Sequence, residues 1–403
     1  MNLKELKSAV SAIESQYRTE FQEISDFIFN HPELGGEEHI SSRYLAEVLA
    51  GHGFKVSFPY EDLETAFIAE YGDENGSSIA FLAEYDALPG YNTPSGKGHA
   101  CGHNWIAATM CGCAIVLSKI KHNFKGKIFL IGTPAEETFG AKVNMEKKGA
   151  FDNIDVIFQA HLENETIIDS AALAMSEIQF EFTGKAAHAA SYPEEGINAL
   201  DAVQLTFMGI NSLRQHVKPD VRMHGIITEG GVATNIIPDR GVCQITVRSK
   251  DRDYLKYVES RVIDCARGAA LITGAKLEYK YLGNTFDDLI NIPLLMDMMK
   301  NNLREVGINK FLSKEEAQPP GSTDLGNVSY NCPTLYVEVD LEADKPFKVH
   351  EEEALRYVNS EYAYKKMTQV INAMAFTALE LYTDPVKIEL VKREHKEIIS
   401  NKG

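Results

Sequence analysis

Carboxylate and imidazole side chains follow the apolar runs of this sequence at the points where those runs end. Asp86 follows one run, Glu136 and Glu137 follow the next, and His161 ends a third. Because the carboxyl ends of parallel strands meet at one edge of an open α/β sheet, we expect these side chains to lie close together although they are distant in sequence. Such a cluster could hold a metal ion or move a proton.

A cysteine and a histidine two residues apart add softer donors to this set. Cys101 and His103 stand just before a stretch with helical spacing, and a helix N-terminus favours an anionic thiolate. A thiolate with an imidazole suits Zn²⁺ or a similar transition ion rather than Mg²⁺ or Ca²⁺. Taken alone, the same pair also fits a buried structural cysteine beside a turn histidine.

Two adjacent glutamates at the end of an apolar run repel each other unless a cation lies between them or one is protonated. At Glu136 and Glu137 this predicts a division of roles, in which one carboxylate binds metal and the other takes the proton of the attacking water. Taken alone, the pair also fits an exposed loop. His350 follows the last apolar run, where a lone histidine would fit a surface or core position equally well.

The segments that must position these residues alternate between strand and helix patterns. Strands are predicted at residues 78–83, 127–132, 155–160 and 334–339. Helices are predicted at residues 3–29, 41–50, 105–121, 143–149 and 294–306, with a long C-terminal helix that ends near residue 382. This alternation predicts an α/β fold with a mixed, mainly parallel sheet flanked by helices.

The pattern changes in the middle of the chain, where strand, helix, strand, strand, helix and strand follow one another. These elements are predicted at residues 177–183, 196–215, 222–228, 241–249, 252–273 and 276–282. Their order is that of a ferredoxin-like α+β unit. We therefore predict a catalytic domain formed by residues 1–174 and 286–403, with a second domain inserted at residues 175–285.

The charge balance excludes some partners. The 403 residues include 40 basic and 58 acidic side chains, a net charge of −18 with neutral histidines. This charge repels nucleic acid and anionic membrane surfaces. We expect a cytoplasmic protein, because the first residues lack a signal-peptide pattern and no run reaches the roughly 18 apolar residues of a membrane span. Six cysteines are too sparse for a secreted disulfide framework.

An ordered set of motifs resembles the two-metal peptidases and amidohydrolases, a family that includes aminoacylases, G-type carboxypeptidases and indole-acetyl-amino-acid hydrolases. The motifs are His31-Pro32-Glu33-Leu34, Asp86-Ala87-Leu88-Pro89, His99-Ala100-Cys101-Gly102-His103-Asn104, Pro134-Ala135-Glu136-Glu137, Gly184-Lys185-Ala186-Ala187-His188-Ala189, Gly230-Gly231 with Asn235-Ile236-Ile237-Pro238, and Gly321-Ser322-Thr323-Asp324. The resemblance covers almost the whole chain. Cys101 and His103 point to the amidohydrolase subfamily, and residues 224–227 and 321–327 look closest to its aminobenzoyl-glutamate hydrolases and β-alanyl-lysine-type dipeptidases.

The resemblance implies a role for each matching position. Cys101 is similar to a ligand that bridges two metal ions, and Glu136 is similar to the general base. Asp86 matches a carboxylate that orients the site, and His188 matches a histidine that reaches the partner subunit's active site and stabilises the oxyanion. The other implied metal ligands are His103, Glu137, His161 and His350. The implied substrate-binding positions are Asn235, Arg248, Gly321 and Ser322.

The same resemblance implies a metal-dependent amidohydrolase or dipeptidase that releases an amino acid from a dipeptide or an N-acyl amino acid. It implies two divalent metal ions per subunit, zinc or manganese before cobalt or nickel, and a homodimer formed through the inserted domain, which also serves as a lid. Two alternatives stay open, namely a two-metal phosphoesterase and a non-catalytic, metal-dependent binding protein for small molecules. The sequence lacks a Gly-rich phosphate loop, which argues against the phosphoesterase.

Overall fold

The computed structural model describes residues 1–73, 75–313, 315–317 and 320–402. The chain forms two compact units. Unit 1 comprises Met1–Ala171, Leu289–Pro320 and Asn327–Gly403, and unit 2 comprises Ala172–Asp288 and Gly321–Gly326. Among the described residues, no helix has the length and apolar character needed to cross a membrane.

The described elements follow one another in a mixed order of helices and strands. The helices are α1 (Leu3–Asn30), α2 (His39–Gly51), α3 (His103–Lys119), α4 (Ala141–Lys147), α5 (Ala199–Leu213), α6 (Arg252–Thr273), α7 (Pro293–Glu305), α8 (Leu325–Asn331), α9 (Glu361–Thr383) and α10 (Pro385–Lys402). The strands are β1 (Lys55–Ser57), β2 (Phe67–Gly72), β3 (Ser78–Ala83), β4 (Leu88–Pro89), β5 (Lys97–Gly98), β6 (Lys127–Gly132), β7 (Val156–Glu163), β8 (Ala174–Thr183), β9 (Arg222–Glu229), β10 (Arg240–Ser249), β11 (Lys276–Tyr281) and β12 (Thr334–Asp340).

Unit 1 contains a six-stranded sheet with the order β1-β2-β6-β3-β7-β12. Strands β6, β3, β7 and β12 are parallel, whereas β2 is antiparallel to β6 and β1 is antiparallel to β2. This confirms the predicted α/β fold with a mixed, mainly parallel sheet. The parallel strands bring their carboxyl ends to one edge, which is where the candidate site residues follow them.

The sequence predicted β3 and β6 at their observed bounds but ended the third strand too early. Strand β7 continues through Glu163, so His161 lies within it and pairs in register with Glu338 of β12. Strands β1 and β2 were not predicted. Only alternate residues at the start of β2 are buried, as in an antiparallel strand with one covered face, and its apolar signal is correspondingly weak.

The core of unit 1 is built around helix α3, which is buried along nearly its whole length. Its Trp105 is fully buried and donates its indole N–H to the carbonyl oxygen of Ala363 on α9 at 2.8 Å. In the sheet, the rings of Phe81 on β3 and Phe158 on β7 stack with their centroids 5.6 Å apart. The helix that begins at the candidate site is therefore fixed by packing.

Unit 2 contains a four-stranded antiparallel sheet with the order β11-β8-β10-β9. Helices α5 and α6 pack together and against this sheet around a core that includes Phe180 and Val262. The succession of strands and helices is the one that the sequence predicted. Strand β9 forms an edge of the sheet and leaves Ile226 60% exposed and Ile227 46% exposed.

Phe158→Ala is expected to lower the free energy of unfolding of unit 1 by about 3–5 kcal/mol, because it removes a buried ring from the centre of the sheet. Urea denaturation followed by circular dichroism measures this. Val386→Ala, at a side chain that is 65% exposed, is the control and should change that free energy by less than about 0.5 kcal/mol. A Phe158→Ala effect no larger than the control would contradict the packing described.

Candidate metal centre

Asp86 joins two of the predicted metal ligands through its two carboxylate oxygens. It lies three residues after the end of β3 and is buried. Its Oδ1 lies 2.7 Å from Nδ1 of His103, and its Oδ2 accepts the backbone N–H of Glu137 at 2.9 Å. Because Nδ1 of His103 donates to the carboxylate, its Nε2 is left with the lone pair that a metal ion needs.

A left-handed glycine separates the cysteine and the histidine of the first motif. Gly102 has φ +78° and precedes α3, which begins at His103. A Cβ at this position would lie 2.6 Å from Cδ2 of Leu162 on β7, so the chain approaches that strand more closely than another residue would allow. This turn brings the ligand atoms of Cys101 and His103 close enough to contact one metal ion.

Two groups of donor atoms meet at Cys101. The ligand atoms of Cys101, His103 and His161 lie within 4.8 Å of one another, and so do those of Cys101, Glu137 and His350. The sulfur lies 3.4 Å from Nε2 of His161 and 3.3 Å from Nε2 of His350. Unit 1 thus brings the five predicted metal ligands together, with the predicted bridging sulfur in both groups.

The two other histidines are oriented by backbone contacts. Nδ1 of His161 lies 2.7 Å from the carbonyl oxygen of Leu162, so it donates there and directs Nε2 towards Cys101. His350 has a positive φ of 70°, and its backbone N–H donates to the carbonyl oxygen of Ala100 at 3.0 Å. Its Nε2 lies 3.1 Å from Oε1 of Glu137. A strained backbone held in this way is common at functional sites.

The charges around the cluster favour a bound cation. Burial and then the carboxylates of Glu137 and Glu136 raise the pKa of the Cys101 thiol well above its ordinary value. Burial alone would lower the pKa of His103, but Asp86, together with more distant carboxylates, raises it well above its ordinary value. The predicted thiolate at a helix N-terminus is therefore not favoured by the protein alone. A cation among these donors would favour the thiolate directly.

The chemistry of the donor set fits metal ions of the zinc type. Sulfur, imidazole and carboxylate donors are the ligands that zinc and similar transition ions take in proteins. The residues that would hold them are Cys101, His103, Glu137, His161 and His350. Two groups with one common member match two ions that share a ligand.

The candidate general base lies beside this cluster on the loop after β6. A carboxylate oxygen of Glu136 lies within 4.8 Å of the ligand atoms of His103 and Glu137. The preceding residue, Ala135, has a positive φ of 59° and is fully buried. Its N–H donates to Oε1 of Glu38 at 2.7 Å. The loop is therefore fastened at residues 135 and 137, on either side of Glu136.

Sequence reasoning missed two buried carboxylates of this region. Glu38 at the start of α2 is fully buried, and burial followed by the charge of Asp86 raises its pKa to about 7. Glu84, directly after β3, accepts hydrogen bonds from the buried Lys142 at 2.6 Å and from Gln159 at 2.7 Å. Its Oε2 lies 3.7 Å from Nε2 of His103. The position of Glu84 at the end of a predicted strand, two residues before Asp86, was the sequence signal that could have identified it.

In unit 2 the remaining predicted residues form two local groups. His188 is exposed, its Nδ1 accepts the N–H groups of Ala190 and Ser191 at 3.2 Å, and the next residue donates its N–H to the carbonyl oxygen of Asn235 at 3.0 Å. This arrangement leaves Nε2 of the imidazole directed away from its own turn.

The second group lies near the end of β10. Arg248 donates from Nη1 to Oγ of Ser322 at 3.0 Å. The carbonyl oxygen of Gly321 accepts the N–H of Leu173 at 2.8 Å, and an added Cβ at this glycine would meet no atom within 4 Å. Arg248, Gly321 and Ser322, which are distant in sequence, are thus neighbours in unit 2.

Comparison with known proteins identifies the family. The sequence model of peptidase family M20/M25/M40 matches residues 80–376, which is most of the chain. The chain belongs to peptidase family M20. The Xaa-Arg dipeptidase of Mus musculus is 34% identical over 93% of this chain and 88% of its own length. A p-aminobenzoyl-glutamate hydrolase protein of Escherichia coli is 33% identical over 67% of this chain and 59% of its own length.

Two solved structures share the fold of this chain. An aminohydrolase, so described, from methicillin-resistant Staphylococcus aureus has a TM-score of 0.80 at 20% identity and covers 93% of this chain and 100% of its own. A dinuclear metal binding peptidase of the M20 family from Bacillus subtilis has a TM-score of 0.66 at 22% identity and covers 91% of this chain and 99% of its own. The M20 protein described here is an amidohydrolase of the metallopeptidase type, as its sequence predicted.

Gly102→Ala is expected to reduce the metal content of the purified protein to less than about half of that of the unchanged protein, because the added methyl group forces Cys101 away from Leu162. Inductively coupled plasma mass spectrometry measures this. Gly274→Ala is the matched control, since Gly274 has the same φ of 78° and an added Cβ meets no atom within 4 Å. Equal metal content in the two variants would contradict the role of the close approach.

Proposed function

We propose that this M20 protein hydrolyses dipeptides or N-acyl amino acids and releases the C-terminal amino acid, with dipeptides that end in a basic residue as the first candidates. The observation that carries the proposal is the sulfur of Cys101, which belongs to both groups of metal-ligating atoms, with Glu136 beside them. The basic residue is suggested by the Xaa-Arg dipeptidases of mouse and human, which match 93% and 98% of this chain.

The proposed metal ligands divide into two sets. Cys101 would be common to both sets, with His103 and His161 in one set and Glu137 and His350 in the other. The two ions, when bound, supply Lewis acidity that polarises the scissile carbonyl and acidifies the attacking water. Zinc or manganese is the proposed metal, with cobalt or nickel as substitutes that the same donors accept.

Glu136 is proposed to accept the proton of the attacking water and to return it to the amine that leaves. Several features support this role. Its carboxylate is close to the proposed ligands, and the residues on either side of it are held by Glu38 and Asp86. A general base contributes to catalysis only when it is held within hydrogen-bond reach of the proton. The hydrogen bonds on either side of Glu136 support such a fixed position.

Unit 2 is proposed to bind the substrate and to pair two subunits. Its exposed edge strand β9 carries Ile226 and Ile227, which a second copy could cover by extending the sheet. Arg248 and Ser322 are proposed to hold the substrate carboxylate, with Asn235 and Gly321 against its main chain. His188 is proposed to stabilise the oxyanion in the site of the partner subunit, for which its exposed imidazole is available.

The remaining proposals concern organisation and location. The catalytic domain is proposed to comprise residues 1–174 and 286–403, and the lid and dimerisation domain residues 175–285. We also propose a cytoplasmic location, which is supported by the fact that all six cysteines are free thiols. Five of the six, all except Cys101, have no proposed role in the metal centre.

Purified protein is expected to release free amino acid from at least one of three substrate sets, namely Xaa-Arg and β-alanyl-lysine dipeptides, N-acyl amino acids, and aminobenzoyl-glutamate. Liquid chromatography with mass spectrometry detects the product. Dialysis against a chelator should abolish release, and added Zn²⁺ or Mn²⁺ should restore it. Substrate binding with no product, or activity that survives removal of all metal, would contradict the proposed function.

Glu136→Gln should lower kcat about 10²- to 10⁴-fold while the metal content stays unchanged, because the amide cannot accept the proton. Steady-state kinetics and metal analysis of the same preparation measure the two quantities. Glu389→Gln, at an exposed side chain on α10, is the control that should retain the original kcat. A Glu136→Gln protein with unchanged kcat would rule out the proposed base.

The role of His188 across the dimer can be tested with heterodimers of two inactive variants. His188→Ala and Glu136→Gln subunits carrying different tags are expressed together, and the mixed dimer is isolated. A histidine that acts on the partner's site leaves one of two sites intact, so about half of the unchanged activity is expected per dimer. If His188 instead acts within its own subunit, each site of the mixed dimer carries one of the two defects, and no activity is expected. Light scattering that shows an active monomer would also contradict this proposal.

A further inference from the structure

Glu38 occupies an unusual position for a carboxylate, because its hydrogen bonds with the described residues come from uncharged groups. It is fully buried, and each of its oxygens accepts a hydrogen bond from the protein. Oε2 accepts from the N–H of Gly36 and from the hydroxyl of Thr65, both at 2.9 Å. Oε1 is directed to a different part of the chain and accepts the N–H of Ala135 at 2.7 Å.

The residue that Glu38 holds has a strained backbone. Ala135 has φ +59°, a left-handed conformation that residues other than glycine adopt at an energetic cost. The backbone of Ala135 is held on both sides, since its N–H donates to Glu38 and its carbonyl oxygen accepts the N–H of Gly140 at 2.9 Å. Such a conformation persists only where the surroundings determine it.

The segment that contains Glu38 is itself built against this turn. A Cβ on Gly35 would lie 2.9 Å from the Cα of Ala135, so the two backbones are in close contact. At the start of the same segment, the carbonyl oxygen of Glu33 accepts the N–H of Ala87, the residue after Asp86, at 2.7 Å. Residues 33–38 therefore contact the chain both at the turn before Glu136 and beside Asp86.

We infer that Glu38 is a positioning residue, which sets the direction of the Glu136 carboxylate by holding Ala135 in the left-handed conformation. The backbone of Ala135 determines where the next residue leaves the turn, and Glu137 beyond it is held separately by Asp86. Without the Glu38 contact, Ala135 can relax to a negative φ, which redirects Glu136. This inference rests on the proposed role of Glu136 as the base.

The test uses Glu38→Gln, which keeps the size of the side chain but leaves one acceptor oxygen in place of two. Because that oxygen keeps two hydrogen bonds when it faces Gly36 and Thr65, we expect the amide nitrogen to face the N–H of Ala135, which then loses its acceptor. We expect kcat to fall about 10- to 100-fold while KM and metal content change less than about twofold, because a misplaced base slows the chemical step and does not weaken binding. Thr65→Val is the matched control, since it removes a buried hydrogen bond to the same carboxylate without touching Ala135. It should retain kcat within about twofold.

A second substitution distinguishes positioning from general destabilisation. Ala135→Gly should restore kcat of Glu38→Gln at least about fivefold, because glycine adopts a positive φ without the strain that Glu38 offsets. A merely structural role of Glu38 predicts no such rescue. Failure of the rescue, or a loss of kcat in Thr65→Val as large as in Glu38→Gln, would overturn the inference.

Hydrogen–deuterium exchange of the holoenzyme tests the same inference without any substrate. Peptides that cover residues 133–140 should exchange faster in Glu38→Gln than in the unchanged protein and in Thr65→Val. Unaltered exchange in Glu38→Gln would overturn the inference. Absence of amide hydrolysis in the unchanged protein would instead count against the proposed function, so the two failures are distinguishable.

Discussion

The arrangement of the candidate metal centre depends on the carboxylate of Asp86. One oxygen fixes the imidazole of His103 and the other holds the backbone of Glu137, so residues from helix α3 and from the loop after β6 are tied to the end of β3. A change in this one side chain would therefore move members of both groups of donor atoms. Because Asp86 is buried, its geometry is set by the protein interior rather than by solvent.

This centre concentrates negative charge in a place from which water is largely excluded. Glu84, Asp86 and Glu137 surround His103, and Glu38 lies close enough to Asp86 for their charges to repel. The buried Lys142 offsets part of this charge through Glu84. The negative charge that remains attracts cations to the site. The field that a substrate meets depends on these local charges, so the formal net charge of −18 says little about it.

The sequence was sufficient to predict the parallel sheet and the cluster at its edge, because apolar runs followed by Asp86, Glu136 and His161 are a local pattern with one geometric outcome. The contribution of Glu38 was not predictable, since a glutamate in a charged segment before a helix looks like a solvent-exposed residue. The left-handed backbone of Ala135 was also hidden. Neither alanine nor its neighbours signal a positive φ, which is held here partly by the contact with Glu38, a residue distant in sequence.

The shared sulfur of Cys101 has a consequence for how the proposed centre is assembled and lost. Since burial and the neighbouring carboxylates raise the pKa of this thiol, an ion that binds to the sulfur would have to displace its proton. Binding of an ion there would release this proton and would therefore become more favourable as the pH rises. Oxidation of this one sulfur would remove a donor from both groups of ligand atoms at once.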